Sequence, residues 1–198
     1  MNEKALMATS GPLRMKMDAS SERMPVVLVP HRPEWAAMAA AEASRLRSAI
    51  GEDVVVAIHH IGSTSIPGIC AKPTVDLMPL VTSLAALDAR EDAVRALGYE
   101  WRGEFGIPGR RFVSLVAGTP PKRLFNVHCF EAAMPGVERH LAFRDYMRAH
   151  PEKAKAYEAE KFRAQKISPD DTLEYSKQKG PWIVEAEREA LAWYRQRP

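Results

Sequence analysis

Glycine and serine residues that could bind a phosphate group follow the apolar segment at residues 54–58. This segment has the composition of a strand buried on both faces, and it leads directly to Gly62, Ser63 and Ser65. Glycine lets the backbone approach an anion closely, while serine hydroxyls and exposed N–H groups donate hydrogen bonds to its oxygens. The segment fits a phosphate-binding turn, and a tight turn in which Ser63 is only a helix cap fits its spacing equally well.

Asp76 is a charged residue within a second apolar segment, residues 74–81. The two-residue period of a strand puts Thr74, Asp76 and Met78 on one face. A carboxylate there is costly to bury unless it is paired or bound to a cation, which favours a functional role. Met78 cannot ligate Mg²⁺, so this face lacks a second acid. Pro79 indicates an edge strand or a bulge.

A histidine and a glutamate close a later strand-like segment at residues 124–130. The strand period aligns His128 with Asn126, so His128 could point into the same cleft as Asp76 and act as a ligand or a base. A histidine that only satisfies hydrogen bonds within the structure explains this position equally well. Glu131 would face the cleft only if the end of the strand turns or bulges.

Basic side chains further along the chain are candidates to neutralise phosphates, although a helix rich in lysine and arginine is more often a solvated face. These candidates are Arg144, Lys161, Lys177 and Lys179. Aromatic residues of the same region are expected to pack helices together rather than to form a stacking platform. They are Tyr157, Tyr175, Trp182, Trp193 and Tyr194.

A mixed sheet is expected to position the candidate residues. Residues 54–58 and 74–81 supply two of its strands. Residues 111–117 and 124–130 flank a Gly-Thr-Pro-Pro turn, which is typical of an antiparallel hairpin.

Helix signals precede and follow these strands. Pro33 begins a helix that Gly51 ends, and Ser83 caps a helix that runs through residue 97. Beyond residue 135 the composition is helical, which predicts three or four helices. The expected breaks between them are at Pro151, residues 168–171 and Gly180-Pro181.

The composition fits one domain in a reducing compartment. A chain of 198 residues with 46% hydrophobic residues is long enough for one buried core and short for two domains. Cys70 and Cys129 lie far apart in apolar surroundings typical of buried, free thiols. No apolar run approaches the roughly 18 residues that span a bilayer. Residues 1–24 lack the apolar core of a secretory signal and are expected to be a flexible extension, so we expect a cytoplasmic protein without membrane contact.

The charge balance favours anionic small molecules over nucleic acid as partners. Lys and Arg total 28 against 25 Asp and Glu, for a net charge of +3. Nucleic-acid binding usually requires a far stronger basic bias. No pattern indicates the acceptor substrate or the oligomeric state.

Several motifs together carry a family resemblance. Residues 60–76 read HIGSTSIPGICAKPTVD, residues 143–146 read FRDY, and further matches are Tyr157, Lys161, Tyr175 and Lys179. From about residue 26 to the C-terminus the chain resembles the GrpB (UPF0157) family. The resemblance implies an α/β (α+β) fold similar to the nucleotidyltransferase superfamily of polymerase-beta type, with a mixed sheet of about five strands. It also implies one domain over residues 25–198, with the sheet in about 25–133 and a helical part in about 134–198.

The resemblance further implies a nucleotide site. In that superfamily a Gly-Ser pair opens a helix that holds the triphosphate, and two or three strand carboxylates hold Mg²⁺. Gly62 and Ser63 match the pair, Asp76 matches the first carboxylate, and Met78 occupies the place of the second. Glu131 is expected to stand in as the remaining acid.

Two functions follow from this resemblance. The first is an enzyme that binds a nucleoside triphosphate such as ATP with Mg²⁺ and transfers a nucleotidyl or phosphoryl group, or activates a carboxylate. Asp76 and Glu131 would hold the metal and His128 would act as base. The phosphates would contact Gly62, Ser63, Ser65, Lys72, Arg144, Lys161 and Lys179. The second function is a nucleotide- or phosphate-binding module without turnover, which Met78 favours. Members of the family are sometimes fused to dephospho-CoA kinase.

Overall fold

Residues 24–197 are described by the computed structural model. Within them the five strands are β1 Val55–Ile61, β2 Val75–Val81, β3 Glu100–Trp101, β4 Arg110–Ala117 and β5 Lys122–Glu131. The helices are α1 Glu34–Ile50, α2 Leu84–Asp88, α3 Glu91–Ala96, α4 Pro135–Ala149, α5 Pro151–Ile167 and α6 Thr172–Tyr194, with a short 3-10 helix at Ser63–Ser65. The extension predicted for residues 1–24 lies, apart from Met24, outside the described residues.

The strands form one mixed sheet in the order β1-β2-β5-β4-β3. β2 and β5 run parallel, whereas the other neighbouring pairs are antiparallel. The predicted mixed sheet and the hairpin of β4 and β5 are therefore confirmed. The two-residue strand β3 was not predicted, because it is too short to show a period.

One prediction about the first strands is wrong, and one of two alternatives is excluded. β1 lies at an edge of the sheet and is not buried on both faces, since Val56 is 54% exposed. β2 is an interior strand, so of the edge or bulge that Pro79 indicated, the edge is excluded. The ladder between β2 and β5 has no residue pair between Leu77 and Leu80. Pro79 lacks an N–H to donate, and this interruption accommodates it inside the sheet.

Helices cover both faces of the sheet. On one face α1, α2 and α3 pack on the strands around Trp35, Leu46, Val75, Leu77 and Val127. On the other face α4 packs through Val137 against Met78 and Phe130. The two-residue period of β2 therefore turns Asp76 and Met78 toward the helical C-terminal half.

Local signals set the first helices. α1 begins after Pro33 and ends before Gly51, as predicted. The Oγ of Ser83 caps α2 by accepting a hydrogen bond from the backbone N–H of Ala86 at 3.1 Å. The single helix predicted through residue 97 is wrong, because the chain turns between α2 and α3.

The helical half contains three helices within the described residues. The predicted breaks at Pro151 and at residues 168–171 are confirmed, but α6 continues through Pro181. A proline inside a helix costs about 3 kcal/mol. Burial of Tyr175 before it and of Ala186 after it offsets that cost. No helix among residues 24–197 is long and apolar enough to cross a bilayer.

The segment between β1 and β2 docks onto the helical half. Ile66 and Ile69 are buried there in one cluster with Phe143 of α4. Arg148 of α4 also donates from its Nε to the carbonyl oxygen of Ser65 at 2.8 Å. These contacts position the start of the segment relative to the sheet and to α4.

The two cysteines are free thiols, but they differ in exposure. Cys129 is buried, as predicted, whereas Cys70 in the segment between β1 and β2 is only partly buried.

Candidate functional site

The turn after β1 and the acid on β2 meet. The antiparallel register places Ile61, the last residue of β1, opposite Asp76. Gly62 follows with φ 71° and ψ −173°, a conformation almost restricted to glycine. A Cβ at position 62 would lie 3.0 Å from the Cβ and Cγ of Asp76 and nearer still to its Oδ2. Glycine is therefore required for the turn to pass the carboxylate so closely.

The Asp76 carboxylate is held ionised by its neighbours. Its side chain is 24% exposed, and its Oδ1 accepts a hydrogen bond from Asn126 Nδ2 at 2.9 Å. The Nε2 of His128 lies 3.8 Å from the same oxygen. Burial opposes ionisation, but His128 and Asn126 outweigh it and hold the pKa of Asp76 below its usual value. The carboxylate can therefore attract a cation at neutral pH.

A cleft of about 170 Å³ opens between Gly62 and the helical half. Among the described residues that line it, the charged ones are Asp76, Lys72 and Lys179. The other polar side chains along it are Ser63, Thr74, Asn126, Tyr157, Tyr175 and Ser176. Two ammonium groups against one carboxylate favour an anionic ligand.

Lys179 of α6 is a partly buried cation of this cleft, as is Lys72. Its Nζ lies 4.5 Å from the centre of the Tyr175 ring, and the Nζ of Lys72 lies 5.5 Å from the same ring. Burial lowers the pKa of Lys179 to about 8, although Asp76 opposes this effect. A bound phosphate would supply the negative charge that the buried ammonium group favours.

Tyr157 of α5 connects the phosphate turn to the helices. The Oγ of Ser63 donates a hydrogen bond to the Tyr157 hydroxyl at 3.0 Å. The Tyr157 ring stacks on Trp182 of α6, with centroids 5.4 Å apart and an interplanar angle of 13°. The tyrosines thus pack the helices, as predicted, and Tyr157 and Tyr175 also line the cleft, which was not predicted. The signal in the sequence for a role of Tyr157 and Tyr175 in the cleft was that both belong to the motifs that carry the family resemblance.

His128 turns an N–H rather than a lone pair toward Asp76. Its Nδ1 lies 3.2 Å from Nη1 of Arg110. A guanidinium can only donate, so Nδ1 accepts and the proton of the neutral ring is on Nε2. That N–H faces Asp76. The structure therefore places His128 beside Asp76 but not on the cleft wall, and the role of a base does not fit this tautomer.

The expectation that Glu131 shares a metal with Asp76 is wrong. The parallel register pairs Asp76 with Asn126 and Glu131 with Val81 at the other end of β2, about 16 Å further along at 3.3 Å per residue. The Oε1 of Glu131 accepts a hydrogen bond from the backbone N–H of Leu84 at 2.9 Å, so the carboxylate caps α2.

Met78 leaves the site with one carboxylate. Its side chain is fully buried in a cluster with Ile61 and Phe130. Within the described part of the chain, no three His, Cys, Asp or Glu side chains come together as a metal site. Asp76 is thus the acid of this cleft.

Ser65 and Arg144 do not line the cleft, contrary to expectation. The Oγ of Ser65 donates to the carbonyl oxygen of Gly62 at 2.7 Å and closes the turn. Arg144 donates from Nε to Asp145 at 2.7 Å and from Nη1 to the carbonyl oxygen of His60 at 3.3 Å. Both side chains therefore stabilise the surroundings of the turn.

Lys161 is also absent from the cleft wall. It is 1% exposed, and its Nζ donates to the carbonyl oxygen of Cys70. Burial, together with the charge of Lys179, lowers its pKa to about 7. Lys161 therefore anchors the segment between β1 and β2 on α5.

Comparisons with known proteins agree on one family. The family model for the GrpB protein matches residues 25–189 of this chain. The UPF0157 protein YqkA of Bacillus subtilis is 40% identical over 168 residues, which cover 85% of this chain and 48% of that protein. The UPF0157 protein SCO7215 of Streptomyces coelicolor is 34% identical over 163 residues, which cover 82% of this chain and 83% of that one.

Two further matches extend the comparison. A protein of Mycolicibacterium paratuberculosis named dephospho-CoA kinase is 32% identical over 193 residues, which cover 86% of this chain and 47% of that protein. The chain thus spans about half the length of this relative and of YqkA. The crystal structure of conserved protein GrpB from Enterococcus faecalis superposes with a TM-score of 0.78 at 33% identity, covering 86% of this chain and 100% of that one.

Proposed function

Since this chain belongs to the GrpB family, we propose that its cleft binds a nucleoside triphosphate such as ATP through the phosphate groups and one Mg²⁺ ion. The observation that carries the proposal is that Lys72, Lys179 and Ser63 line the same cleft as the ionised Asp76. The lysines and hydroxyls attract phosphate oxygens, and the carboxylate attracts the counter-cation.

One protein carboxylate is compatible with Mg²⁺. This ion keeps several waters and is commonly bound by one or two carboxylates together with phosphate oxygens. Asp76 supplies a carboxylate with a lowered pKa, and no cage of protein ligands surrounds it among residues 24–197. Bound there, Mg²⁺ would offset the negative charge of the phosphates.

Transfer of a nucleotidyl or phosphoryl group is the second candidate function. It is favoured by the placement of Asp76 beside Gly62 and Ser63, which is the arrangement implied for the first metal-binding carboxylate. The buried Met78 disfavours a two-metal mechanism. In this reaction Lys179 would stabilise negative charge on the transferred group. The attacking oxygen of the acceptor would have to be nucleophilic before it enters the cleft.

The name dephospho-CoA kinase is not carried to this chain. The aligned part covers 47% of that relative, and the sequence contains no Gly-x-x-x-x-Gly-Lys-Ser/Thr motif of a P-loop kinase.

Calorimetric titration of ATP, with MgCl₂ or with EDTA, tests the proposal. We expect binding in MgCl₂ and about tenfold weaker binding after Lys179→Met. Lys177→Met is the matched control, because Lys177 lies on the same helix, is exposed and pairs with Glu174. Absence of ATP binding to the unmodified protein would reject the proposed function.

Product analysis separates the two candidates. Incubation with radiolabelled ATP and Mg²⁺ should leave the nucleotide intact if the cleft only binds it. Release of pyrophosphate or ADP that stops with Asp76→Asn would support group transfer instead.

A further inference from the structure

The cleft is small compared with a nucleotide. Its volume is about 170 Å³, whereas sites that enclose a drug-sized ligand have about 300–1,000 Å³. One or two phosphate groups fit this space, and a nucleoside attached to them would extend outside it.

Among the described residues that line the cleft, none is aliphatic. Its polar groups are hydroxyls, an amide, two ammonium groups and a carboxylate, beside the rings of Tyr157 and Tyr175 and the backbone of Gly62. A nucleobase site normally provides apolar or aromatic surface on which the base is buried. Polar groups predominate in this wall, which matches a polar part of a ligand.

The aromatic rings of the cleft have no surface left for stacking. Tyr157 is 5% exposed and Tyr175 is 1% exposed. The Tyr157 ring stacks on Trp182, and the Nζ of Lys161 lies 4.8 Å from the ring centre. Lys179 lies over Tyr175. A base gains stacking energy only on an accessible ring, so these tyrosines can offer a ligand only their hydroxyl ends.

The hydrogen-bonding groups of the cleft fit a phosphate group together with a neighbouring donor. Donors are provided by Lys72, Lys179 and the Tyr157 hydroxyl, which accepts from Ser63 and keeps its own proton, and acceptors by Asp76 and Asn126. The Asn126 amide oxygen is buried and has no hydrogen-bond partner in the described structure. A hydrated cation or a hydroxyl beside the phosphate would satisfy these acceptors.

From these observations we propose that the cleft recognises a compact phosphate group without reading a nucleobase. This inference rests on the proposed function and narrows it: the ligand class is a phosphate-bearing anion of the size of pyrophosphate, free or as the tail of any nucleotide. The nucleoside of a bound nucleotide lies outside the cleft and contributes little to affinity.

Calorimetric titrations with pyrophosphate, ATP, GTP and adenosine, all in MgCl₂, test this inference. We expect dissociation constants of the three phosphate compounds within about threefold of one another and no heat of binding from adenosine. ATP binding about tenfold tighter than both GTP and pyrophosphate would overturn the inference while leaving the proposed function intact. Failure of all three phosphate compounds to bind would reject both.

Two cleft variants check where the probes bind. Lys179→Met should weaken pyrophosphate, ATP and GTP by the same factor, whereas Lys177→Met should change none of them. Tyr175→Phe removes a hydroxyl and keeps the buried ring. It is the alternative test variant if Lys179→Met does not fold. An effect of both cleft variants on ATP with pyrophosphate unchanged would contradict a shared phosphate site.

Discussion

Replacing Gly62 by alanine is expected to destabilise the protein by about 4 kcal/mol. The backbone at this position, with φ 71° and ψ −173°, costs a non-glycine residue about 1–3 kcal/mol. The new methyl group would overlap the Asp76 carboxylate, and forcing an extra carbon into a packed site costs about 1–3 kcal/mol more. The two contributions are separable because the second requires Asp76.

Gly68→Ala is the matched control for the backbone contribution. Gly68 also has a positive φ, 77°, but a Cβ there would meet no atom within 4 Å. Its substitution should therefore cost only about 1–2 kcal/mol. In urea denaturation, with a slope of about 2 kcal/mol per molar, Gly62→Ala should lower the midpoint by about 2 M and the control by less than half of that.

A double-mutant cycle with Asp76→Ala tests the collision itself. Removing the carboxylate should recover about 1–3 kcal/mol of the Gly62→Ala cost. If Gly62→Ala destabilises the protein no more than Gly68→Ala, or if the two changes at the site are additive, the turn and the acid do not meet as described.

Further predictions concern pH, the metal and a helix cap. Burial lowers the pKa of Lys179 to about 8, so its ammonium group is charged below that pH and neutral above it. The affinity for ATP, measured by calorimetry, should therefore fall as the pH rises from about 7 to about 9.5. In Lys179→Met the affinity should no longer depend on pH over this range. Asp76→Asn should abolish the difference between ATP titrations in MgCl₂ and EDTA, whereas Asp53→Asn, at an exposed carboxylate, should preserve it. The pKa of Lys161 is about 7 in the folded protein and about 10.4 in the unfolded chain. Between these pH values the unfolded state binds more protons, so the free energy of unfolding rises with pH. Lys161→Met should reduce this slope, measured by urea unfolding at several pH values, by about 1.4 kcal/mol per pH unit. Ser83→Ala should lower the unfolding free energy by about 1 kcal/mol through loss of the α2 cap.

The meeting of Gly62 and Asp76 could be predicted from the chain because the elements are close in sequence. β1 and β2 pair directly, and the strand period already turned Asp76 and Met78 to one face. Helix limits at Pro33, Gly51 and Ser83 were also readable, since caps and stops act within one turn of the backbone.

The register between the parallel strands β2 and β5 determined the position of Glu131. Nothing local distinguishes a strand-end acid that faces the cleft from one that caps a neighbouring helix. The parallel pairing of β2 with β5 set that difference, because it places Asn126 beside Asp76 and moves Glu131 to the far end of the strand. Interior placement of Pro79 likewise followed from the strand order and not from its residue type.

Helix rotation decided which cations serve the cleft. Lys161 lies on the buried face of α5 together with Ala154, Tyr157 and Ala164. Its ammonium group donates a hydrogen bond to the backbone carbonyl of Cys70 and does not line the cleft. Lys179 projects from α6 into the cleft beside Tyr175. Residue type and spacing therefore determine that this chain carries a glycine turn, a strand acid and nearby cations. Their convergence is a property of the packed molecule, because the direction of a side chain depends on how its helix or strand lies against the others.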